Sequence, residues 1–339
     1  MKNKIIKYFL LGSLLAQLTP SVFAKTEPSG FIGVANKEDG TAEFIDAKLM
    51  KSVSKVTVGH LPHEIAAVPN STLAFVSNYG KIHVTSNSSR NRPGNTLSVI
   101  DLSSQNKVSE LSLGEGTCAP HGIMASDDGK TVFVTCEGTG TIVAINPFTL
   151  KILYKIETGQ DQSHLITLSK DGKRAYVANF GPGTISILDL KSRQSIKHIK
   201  VGLGTEGIDV SSDHKFIYAT AREGNQLVKI DAVSLKVIKR VDTEKAPIRV
   251  IITPDGKKLA VNCAESGTFQ LYEAETLKLI KSIKVGKLPI GLIVPSNNFA
   301  YVANMNSNSI SEISLKKLQV TRTVSTGMKP DGMTFIQKI

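Results

Sequence analysis

Short runs of apolar and β-branched residues alternate with turn-forming residues along almost the whole chain. Within residues 120–159, for example, residues 122–125, 131–135 and 141–145 have the composition of strands, and residues 151–156 alternate polar and apolar positions. Glycine, aspartate and asparagine separate these runs. No segment has the 3.6-residue period of an amphipathic helix. The pattern therefore predicts units of four short antiparallel strands.

The same unit recurs, and a four-residue phrase marks each copy. The phrase is Tyr-Val-Ala-Asn at residues 176–179 and 301–304, and degraded copies lie at residues 34–36, 75–78, 133–136, 217–220 and 259–262. The last positions of successive copies are 42, 58, 43, 41, 42 and 42 residues apart. A repeat of this period made of four strands indicates a β-propeller, and the one long step indicates an insertion.

The ends of the chain complement each other. The repeats start at a second strand, residues 31–36, and end at a lone first strand, residues 333–336. Pairing these two segments would complete one blade and remove the exposed edges of a linear array. The predicted fold is therefore all-β: a seven-bladed β-propeller of four-stranded antiparallel blades over residues 25–339, closed by its N- and C-terminal strands.

The phrase, its spacing and the Asp-Gly turns resemble the YVTN-type seven-bladed β-propeller family of exported bacterial proteins. The resemblance covers the whole chain after the leader and implies a propeller. Its relatives include binding proteins, surface-layer proteins and propeller subunits of redox enzymes, so it does not imply one activity.

The first 24 residues have the features of a secretory signal peptide. Lys2, Lys4 and Lys7 precede an apolar run over residues 8–18, and a small-residue site favours cleavage before Lys25. We therefore expect a periplasmic or secreted protein with no transmembrane segment in the mature chain. Removing the three leader lysines from the formal charge of +12 leaves +9. That charge favours an anionic ligand or protein partner, although lysines on solvated outer strands would explain it equally.

Polar residues cluster at one position of the repeat, the entry to each first strand. Because first strands line the channel of a propeller, these seven residues should form a ring at one channel mouth. Five consecutive members are polar and two are isoleucine: Asp331, His63, His121, His164, Glu206, Ile248 and Ile290. Three imidazoles with carboxylates are ligands for zinc, copper or iron, or groups for acid/base chemistry. The alternative is that they cap strands and bind channel water.

Two further features bear on this mouth. The insertion should place a loop with His83, Arg90 and Arg92 on the same face, where it would meet an anionic ligand or lie idle. Cys118 and Cys136 end strands that a hairpin would bring together, so they are candidates for a disulfide in an oxidising compartment. The competing interpretation makes Cys118 a metal ligand beside His121. Cys263 is left over.

The sequence leaves three functions open. The first is a non-enzymatic exported propeller that binds a ligand or partner through the mouth face. The second is a metal-binding protein, or a metal-dependent hydrolase or lyase, that uses His63, His121 and His164. The third is a noncatalytic propeller subunit of a periplasmic redox complex. The chain has no nucleophile elbow, P-loop, dinucleotide-binding turn or Cys-x-x-Cys-His haem motif. Basic and aromatic residues do not interleave as in a nucleic-acid-binding surface.

Overall fold

Seven four-stranded antiparallel sheets make up the protein in the computed structural model, which describes residues 29–80, 93–114 and 116–337. The predicted all-β, seven-bladed propeller is confirmed. In six of the sheets the strands follow chain order from the channel outward, and in the seventh the last strand of the chain lies inside the first three. The described residues contain one helical element, a single 3₁₀ turn at Met305–Ser307. No helix in these three ranges is long and apolar enough to cross a membrane.

The strands are named here in chain order and grouped into blades I to VII. The chain enters through blade VII with β1 (Gly30–Asn36), β2 (Thr41–Asp46) and β3 (Lys51–Thr57). Blade I comprises β4 (Pro62–Ala67), β5 (Leu73–Gly80), β6 (Pro93–Asp101) and β7 (Asn106–Ser112), and blade II comprises β8 (Pro120–Ala125), β9 (Val132–Cys136), β10 (Thr141–Asn146) and β11 (Lys151–Glu157). Blade III comprises β12 (Ser163–Leu168), β13 (Arg174–Asn179), β14 (Thr184–Asp189) and β15 (Gln194–Lys200), and blade IV comprises β16 (Thr205–Val210), β17 (Phe216–Ala221), β18 (Gln226–Asp231) and β19 (Lys236–Asp242). Blade V comprises β20 (Pro247–Ile252), β21 (Lys258–Cys263), β22 (Thr268–Glu273) and β23 (Leu279–Lys284), and blade VI comprises β24 (Pro289–Ile293), β25 (Phe299–Asn304), β26 (Ser309–Ser314) and β27 (Gln319–Ser325). The chain ends with β28 (Pro330–Gln337), which completes blade VII.

The core lies between neighbouring blades. Second strands are almost wholly buried, as β9 illustrates with five buried residues. Fourth strands alternate exposed and half-buried residues, as in β27, because only one of their faces packs against the protein. This division places the lysines of the fourth strands at the outer edge, where charge discourages pairing with another sheet.

The asparagine of the repeated phrase joins three parts of a blade. Asn78 accepts a hydrogen bond from the backbone N–H of Gly59 at 3.0 Å and donates one to the Thr96 hydroxyl at 2.9 Å. Asn304 likewise accepts from the N–H of Gly286 at 2.9 Å. A Cβ added at Gly59 would lie 2.2 Å from Asn78, so the turn before each first strand needs glycine where asparagine lies over it.

In blades IV and V the repeated phrase ends one residue later than the sequence pattern predicted. Asn179 ends its strand opposite Thr184, and the equivalent pairs are Ala221 with Gln226 and Cys263 with Thr268. Alanine and cysteine occupy the position of the asparagine in these blades. Thr220 and Asn262, one residue earlier, resemble the last residue of the phrase and are therefore its predicted end. The fold is unaffected because the strands themselves occur as predicted.

The ends of the chain close the ring as predicted. Strand β28 pairs antiparallel with β1 from Gly30 opposite Gln337 to Val34 opposite Met333. The predicted insertion falls between β5 and β6. Its candidate residues His83, Arg90 and Arg92 lie outside the described residues, as does the proposed signal peptide.

Candidate functional site at the channel mouth

A recurrent backbone turn aims the seven predicted mouth residues, which we call the inner ring. The residue two positions before each member has a positive φ, between 47° and 68°, and these residues are Leu61, Ala119, Gln162, Gly204, Ala246, Leu288 and Lys329. Proline, serine or threonine follows and starts the first strand. The second strands then hold the backbone: the Ser77 hydroxyl donates to the His121 carbonyl at 2.9 Å, and Thr135 donates to the His164 carbonyl at 2.6 Å.

A second set of mouth residues, the outer ring, follows the repeated phrase at the end of each second strand. Several members contact the inner ring through ion pairs or aromatic rings. In blade order from VII to VI the outer ring is Lys37, Tyr79, Glu137, Phe180, Arg222, Ala264 and Met305.

We call the five consecutive polar members of the inner ring, from Asp331 through the three histidines to Glu206, the polar arc. One end of the polar arc is an ion-pair cluster around Asp331. This fully buried carboxylate lies 2.9 Å from His63 Nδ1 and 3.5 Å from Lys37 Nζ. Lys37 Nζ also lies 3.0 Å from His63 Nε2. Burial alone would raise the pKa of Asp331. The charges of His63 and Lys37 lower it by more, so the pKa of Asp331 lies below its usual range. Asp331 is therefore ionised, and both His63 nitrogens face charged neighbours.

The other end of the arc is built around His164. Its Nε2 lies 3.4 Å from Glu206, and its Nδ1 lies 3.6 Å from Glu137. Burial lowers the pKa of His164, but the two carboxylates outweigh it and raise the pKa to about 9. Glu206 is also paired with Arg222 at 3.4 Å. Without a bound cation, His164 is thus an imidazolium between two carboxylates.

His121 occupies the middle of the arc and differs from both neighbours. Its ring centroid lies 3.9 Å from that of His63 and 3.6 Å from that of His164. The residue is 1% exposed, and neither ring nitrogen has a hydrogen-bond partner among the described residues. Burial, followed by the charges of His164 and His63, lowers the pKa of His121 well below its usual value. His121 is therefore neutral, with a lone pair available to a metal.

Buried polar atoms without partners converge on one side of this imidazole. In addition to the His121 nitrogens, they include His164 Nδ1 and Glu137 Oε2, which form no hydrogen bond but face each other at an ion-pair distance of 3.6 Å. Ligand atoms of these three residues lie within 4.8 Å of one another. Next to them, burial and then the Glu137 charge raise the pKa of Tyr79, which keeps the phenol protonated. Two imidazoles and a carboxylate with a free position are a donor set for Zn²⁺ or Fe²⁺.

A second cluster, His63, Glu64 and His121, meets the same distance criterion but is less available. The Glu64 carboxylate accepts a hydrogen bond from Arg249 across the channel, and His63 contacts Asp331 and Lys37. An ion would have to displace these partners, of which Asp331 and Lys37 lie 2.9 and 3.0 Å from His63. In the first cluster His121 has no partner among the described residues, and the His164–Glu137 contact is longer, at 3.6 Å.

The Glu64–Arg249 pair also lines a cavity in the channel. This cavity has a volume of about 330 Å³ and is otherwise lined by aliphatic side chains such as Ile65, Leu165 and Met333. Carboxylates at Glu64 and Asp331 contribute to a raised pKa of Arg249, against the lowering effect of burial. Glycine permits this crowding, because a Cβ at Gly332 would lie 2.2 Å from Glu64.

A disulfide supports the ligand-bearing strands of blade II. The structure joins Cys118 to Cys136, with the Cα atoms 4.5 Å apart. Cys118 lies three residues before His121, and Cys136 directly precedes Glu137, so the bond ties together the segments that carry two of the three unpartnered groups. Cys263 is free and buried, and burial raises the pKa of its thiol to about 12.

The inner ring could be derived from the sequence, whereas the outer ring was missed. The structure brings Asp331, His63, His121, His164 and Glu206 into one arc, but it is Glu137, not Asp331 or Glu206, that shares a cluster of candidate ligand atoms with His121 and His164. Glu137 resembled an ordinary turn residue between Cys136 and Gly138. The signal that identifies Glu137 is its position directly after the repeated phrase, the position that supplies the outer ring in all seven blades.

Comparison with known proteins gives a partial family match and a widely shared fold. The model of the cytochrome D1 heme domain family matches residues 127–249, which include Glu137, His164, Glu206 and Arg222 but not His63 or His121. A comparison with curated proteins gives no significant match.

Several solved structures share the propeller. A Kuenenia stuttgartiensis hydrazine synthase chain is 19% identical, with a TM-score of 0.73, and the match covers 87% of this chain and 98% of that one. A functionally unknown protein from Desulfotomaculum acetoxidans is 13% identical, with a TM-score of 0.75 and coverages of 92% and 100%. A periplasmic gluconolactonase from Pseudomonas aeruginosa is 15% identical, with a TM-score of 0.72 and coverages of 91% and 99%. At these identities the similarity shows a common fold.

The partial family match raises the question of a haem, and the mouth does not fit one in this conformation. A haem needs an imidazole nitrogen that faces a space as wide as the macrocycle. His121 instead lies between two imidazoles. The nitrogens of His63 and His164 face carboxylates of the inner and outer rings of the mouth. The cavities in the channel and on the opposite face touch none of these imidazoles. The donor set fits a single small ion.

Proposed function

We propose that this protein is an exported propeller that binds one transition-metal ion at its channel mouth through His121, His164 and Glu137. The observation that carries the proposal is the set of buried atoms on these three side chains that form no hydrogen bond, together with the closeness of their ligand atoms, which lie within 4.8 Å of one another. A buried polar atom without a partner costs free energy, and a bound cation would recover it.

The pairing of charges around the site leaves Glu137 for a cation. Of the four carboxylates around the three imidazoles, Asp331, Glu206 and Glu64 are paired with Lys37, Arg222 and Arg249, whereas within the described part of the chain Glu137 forms an ion pair with His164 only. Glu206 would act behind the metal, because its contact with His164 Nε2 leaves Nδ1 directed toward Glu137. A carboxylate on the far nitrogen fixes the orientation of a ligating imidazole and increases its basicity. The bound ion would supply Lewis acidity to a ligand at the mouth.

Metal content and titration test the proposal directly. We expect the protein purified without a polyhistidine tag to contain or take up about one equivalent of Zn²⁺ or another transition-metal ion, measured by elemental analysis and competition with a chelating dye. His121→Ala and His164→Ala should each weaken binding by about 100-fold or more, and Glu137→Gln by about 10- to 100-fold. His63→Ala should have the smallest effect of the three histidine variants.

His198→Ala is the matched control, since His198 lies on the outer strand β15 and contacts Ser186. It should leave metal affinity unchanged. A wild-type protein that takes up no metal, or variants of His121 and Glu137 that bind it normally, would refute the proposed site.

Export remains part of the proposal and rests on the N-terminal sequence. The mature protein from the cell envelope or medium should begin at Lys25, which intact-mass measurement checks.

A second candidate is a propeller subunit of a periplasmic redox assembly. It is favoured by the cytochrome D1 heme domain match and by the structural similarity to a hydrazine synthase chain. If so, the native protein should elute in a complex larger than its monomer, together with a chain that carries a redox cofactor. Elution as a monomer at native abundance would argue against it.

A further inference from the structure

The two mouth rings are symmetric about the middle of the polar arc. The inner ring passes from Asp331 through three imidazoles to Glu206, centred on His121. The outer ring passes from Lys37 through Tyr79, Glu137 and Phe180 to Arg222, and it is centred on Glu137. At each end an outer-ring cation pairs with an inner-ring carboxylate, at 3.5 Å for Lys37–Asp331 and 3.4 Å for Arg222–Glu206. A cation therefore stands at each edge of the polar arc.

The remaining two blades complete both rings with apolar residues. Ile248 and Ala264 are buried in blade V within a small cluster that Leu288 and Ile290 of blade VI contact while remaining partly exposed. Met305 is also partly exposed, and its N–H bonds to the Leu288 carbonyl at 2.9 Å. Leu288, Ile290 and Met305 thus form an apolar patch on the mouth of blade VI, in the gap between the two ends of the polar arc.

Lys37 and Arg222, the cations at the two ends of the polar arc, differ in how many of their hydrogen-bond donors are free to bind a ligand. Lys37 contacts Asp331, His63 and the Tyr79 ring. Arg222 makes one hydrogen bond, from Nη1 to Glu206, and its side chain is 35% exposed. Among the described residues its other guanidinium donors have no hydrogen-bond partner, and its Cζ lies over the Phe180 ring, 5.9 Å from the ring centroid. A guanidinium with free donors on an aromatic support is suited to a carboxylate.

We infer that the mouth binds a small amphipathic carboxylate, whose carboxylate group meets Arg222 beside the metal and whose apolar body lies against Leu288, Ile290 and Met305. The position of the carboxylate beside the metal rests on the proposed metal site. The chemistry of the ligand rests on the division of the mouth into the polar arc and the apolar patch. A cationic amphiphile does not suit the mouth, because Arg222 would repel it.

Calorimetric titration of the zinc-loaded protein with hexanoate, acetate and hexylammonium tests the inference. Hexanoate should bind at least 10-fold more tightly than acetate, because acetate lacks the apolar body, and hexylammonium should show no saturable binding. Arg222→Met, titrated after loading with one equivalent of zinc, should weaken hexanoate binding at least 10-fold. Ile290→Ser should reduce the preference for hexanoate over acetate.

Arg193→Met is the control, since Arg193 lies over Tyr154, away from the mouth, and it should bind hexanoate normally. Equal binding of hexanoate and hexylammonium, or normal hexanoate binding by Arg222→Met, would overturn the inference. Zinc uptake without hexanoate binding would overturn this inference alone. Arg222-dependent hexanoate binding by a protein that takes up no zinc would support the carboxylate site and reject the metal site.

Discussion

At the scale of single residues, the protein places different side chains on one repeated backbone. The left-handed residue before each first strand recurs in all seven blades, so the direction of each inner-ring side chain is fixed by the fold. Chemistry then depends on which residue occupies the position. This is why the sequence predicted the arc from Asp331 to Glu206 once the repeat was known.

The repeat could not predict how those side chains pair. His63, His121 and His164 occupy equivalent positions, yet their neighbours come from another ring and from the blades beside them. Lys37 engages His63, Glu137 faces His164, and His121 receives neither. Which imidazole stays neutral is decided by contacts between blades, and no local pattern in the sequence carries that information.

A carboxylate at the other end of the channel gives a residue-scale prediction for stability. Asp209 accepts hydrogen bonds from the N–H groups of Val210 and Ile252, both at 2.8 Å. Among the described residues no cation pairs with it, and burial raises its pKa from 3.8 to about 6. The folded state therefore binds the proton more tightly than the unfolded chain, so this contribution favours folding below about pH 4 and is lost as pH rises through about 6.

We expect the free energy of unfolding of the wild type to fall by up to about 3 kcal/mol between pH 4 and 7 from this group. The loss should be smaller to the extent that water reaches the carboxylate. Asp209→Asn should remove this fall, apart from a constant offset, in urea titrations at several pH values. The exposed Asp213, whose pKa the Ser211 hydroxyl lowers, provides a control of opposite sign. Parallel pH profiles for wild type and Asp209→Asn would contradict the prediction.

At the scale of strands, the alternation of apolar and polar residues predicted most of the structure. The four strands of blade II, for example, occur where the apolar runs and turn residues placed them. The one-residue error in blades IV and V arose because Thr220 and Asn262 resemble the end of the phrase. In the structure these side chains instead contact the inner strands: Thr220 accepts from the Gly207 N–H, and Asn262 donates to the Gly291 carbonyl.

The hairpin β8–β9 gives an element-scale prediction, because its disulfide supports both the blade and the site. Closing a loop across a sequence separation of 18 residues should stabilise the fold by about 3 kcal/mol. Cys118→Ala/Cys136→Ala should therefore lower the midpoint of urea unfolding. It should also weaken metal binding several-fold, since His121 and Glu137 would no longer be tied together.

Peptide mass spectrometry without reduction should show Cys118 linked to Cys136 and Cys263 free. Cys263→Ala is the matched control for the metal measurement, because Cys263 contacts Gln270 in blade V and no mouth ligand. Three alkylatable thiols in protein from the oxidising compartment would refute the pairing. Unchanged metal affinity in the double variant would show that the disulfide does not position the ligands.

At the scale of the whole molecule, function and closure are connected through blade VII. Strand β28 carries Asp331, the acidic end of the polar arc, and β1 is followed by Lys37, its cationic partner. The two ends of the chain thus meet both in the β1–β28 ladder and in the mouth. The sequence predicted the ladder because incomplete blades at the two termini complement each other, but it could not show that the same closure completes one end of the polar arc.

Deleting residues 330–339 tests this connection. The deletion removes β28, exposes the edge of β1 and uncovers apolar residues such as Ile32 and Ile65 that pack in this part of the core. The loss should be comparable with the whole stability of a typical domain, about 5–15 kcal/mol, so we expect aggregation or a fall in Tm of more than about 10 °C. A synthetic peptide of residues 330–339 added during refolding should restore soluble protein, whereas a peptide of the same composition in scrambled order should not. The restored complex should bind metal like the intact chain if His121, His164 and Glu137 suffice as ligands, even when the peptide carries Asp331→Asn. An unchanged melting curve for the truncated chain would contradict the closure, because an open propeller would then be stable without its last strand.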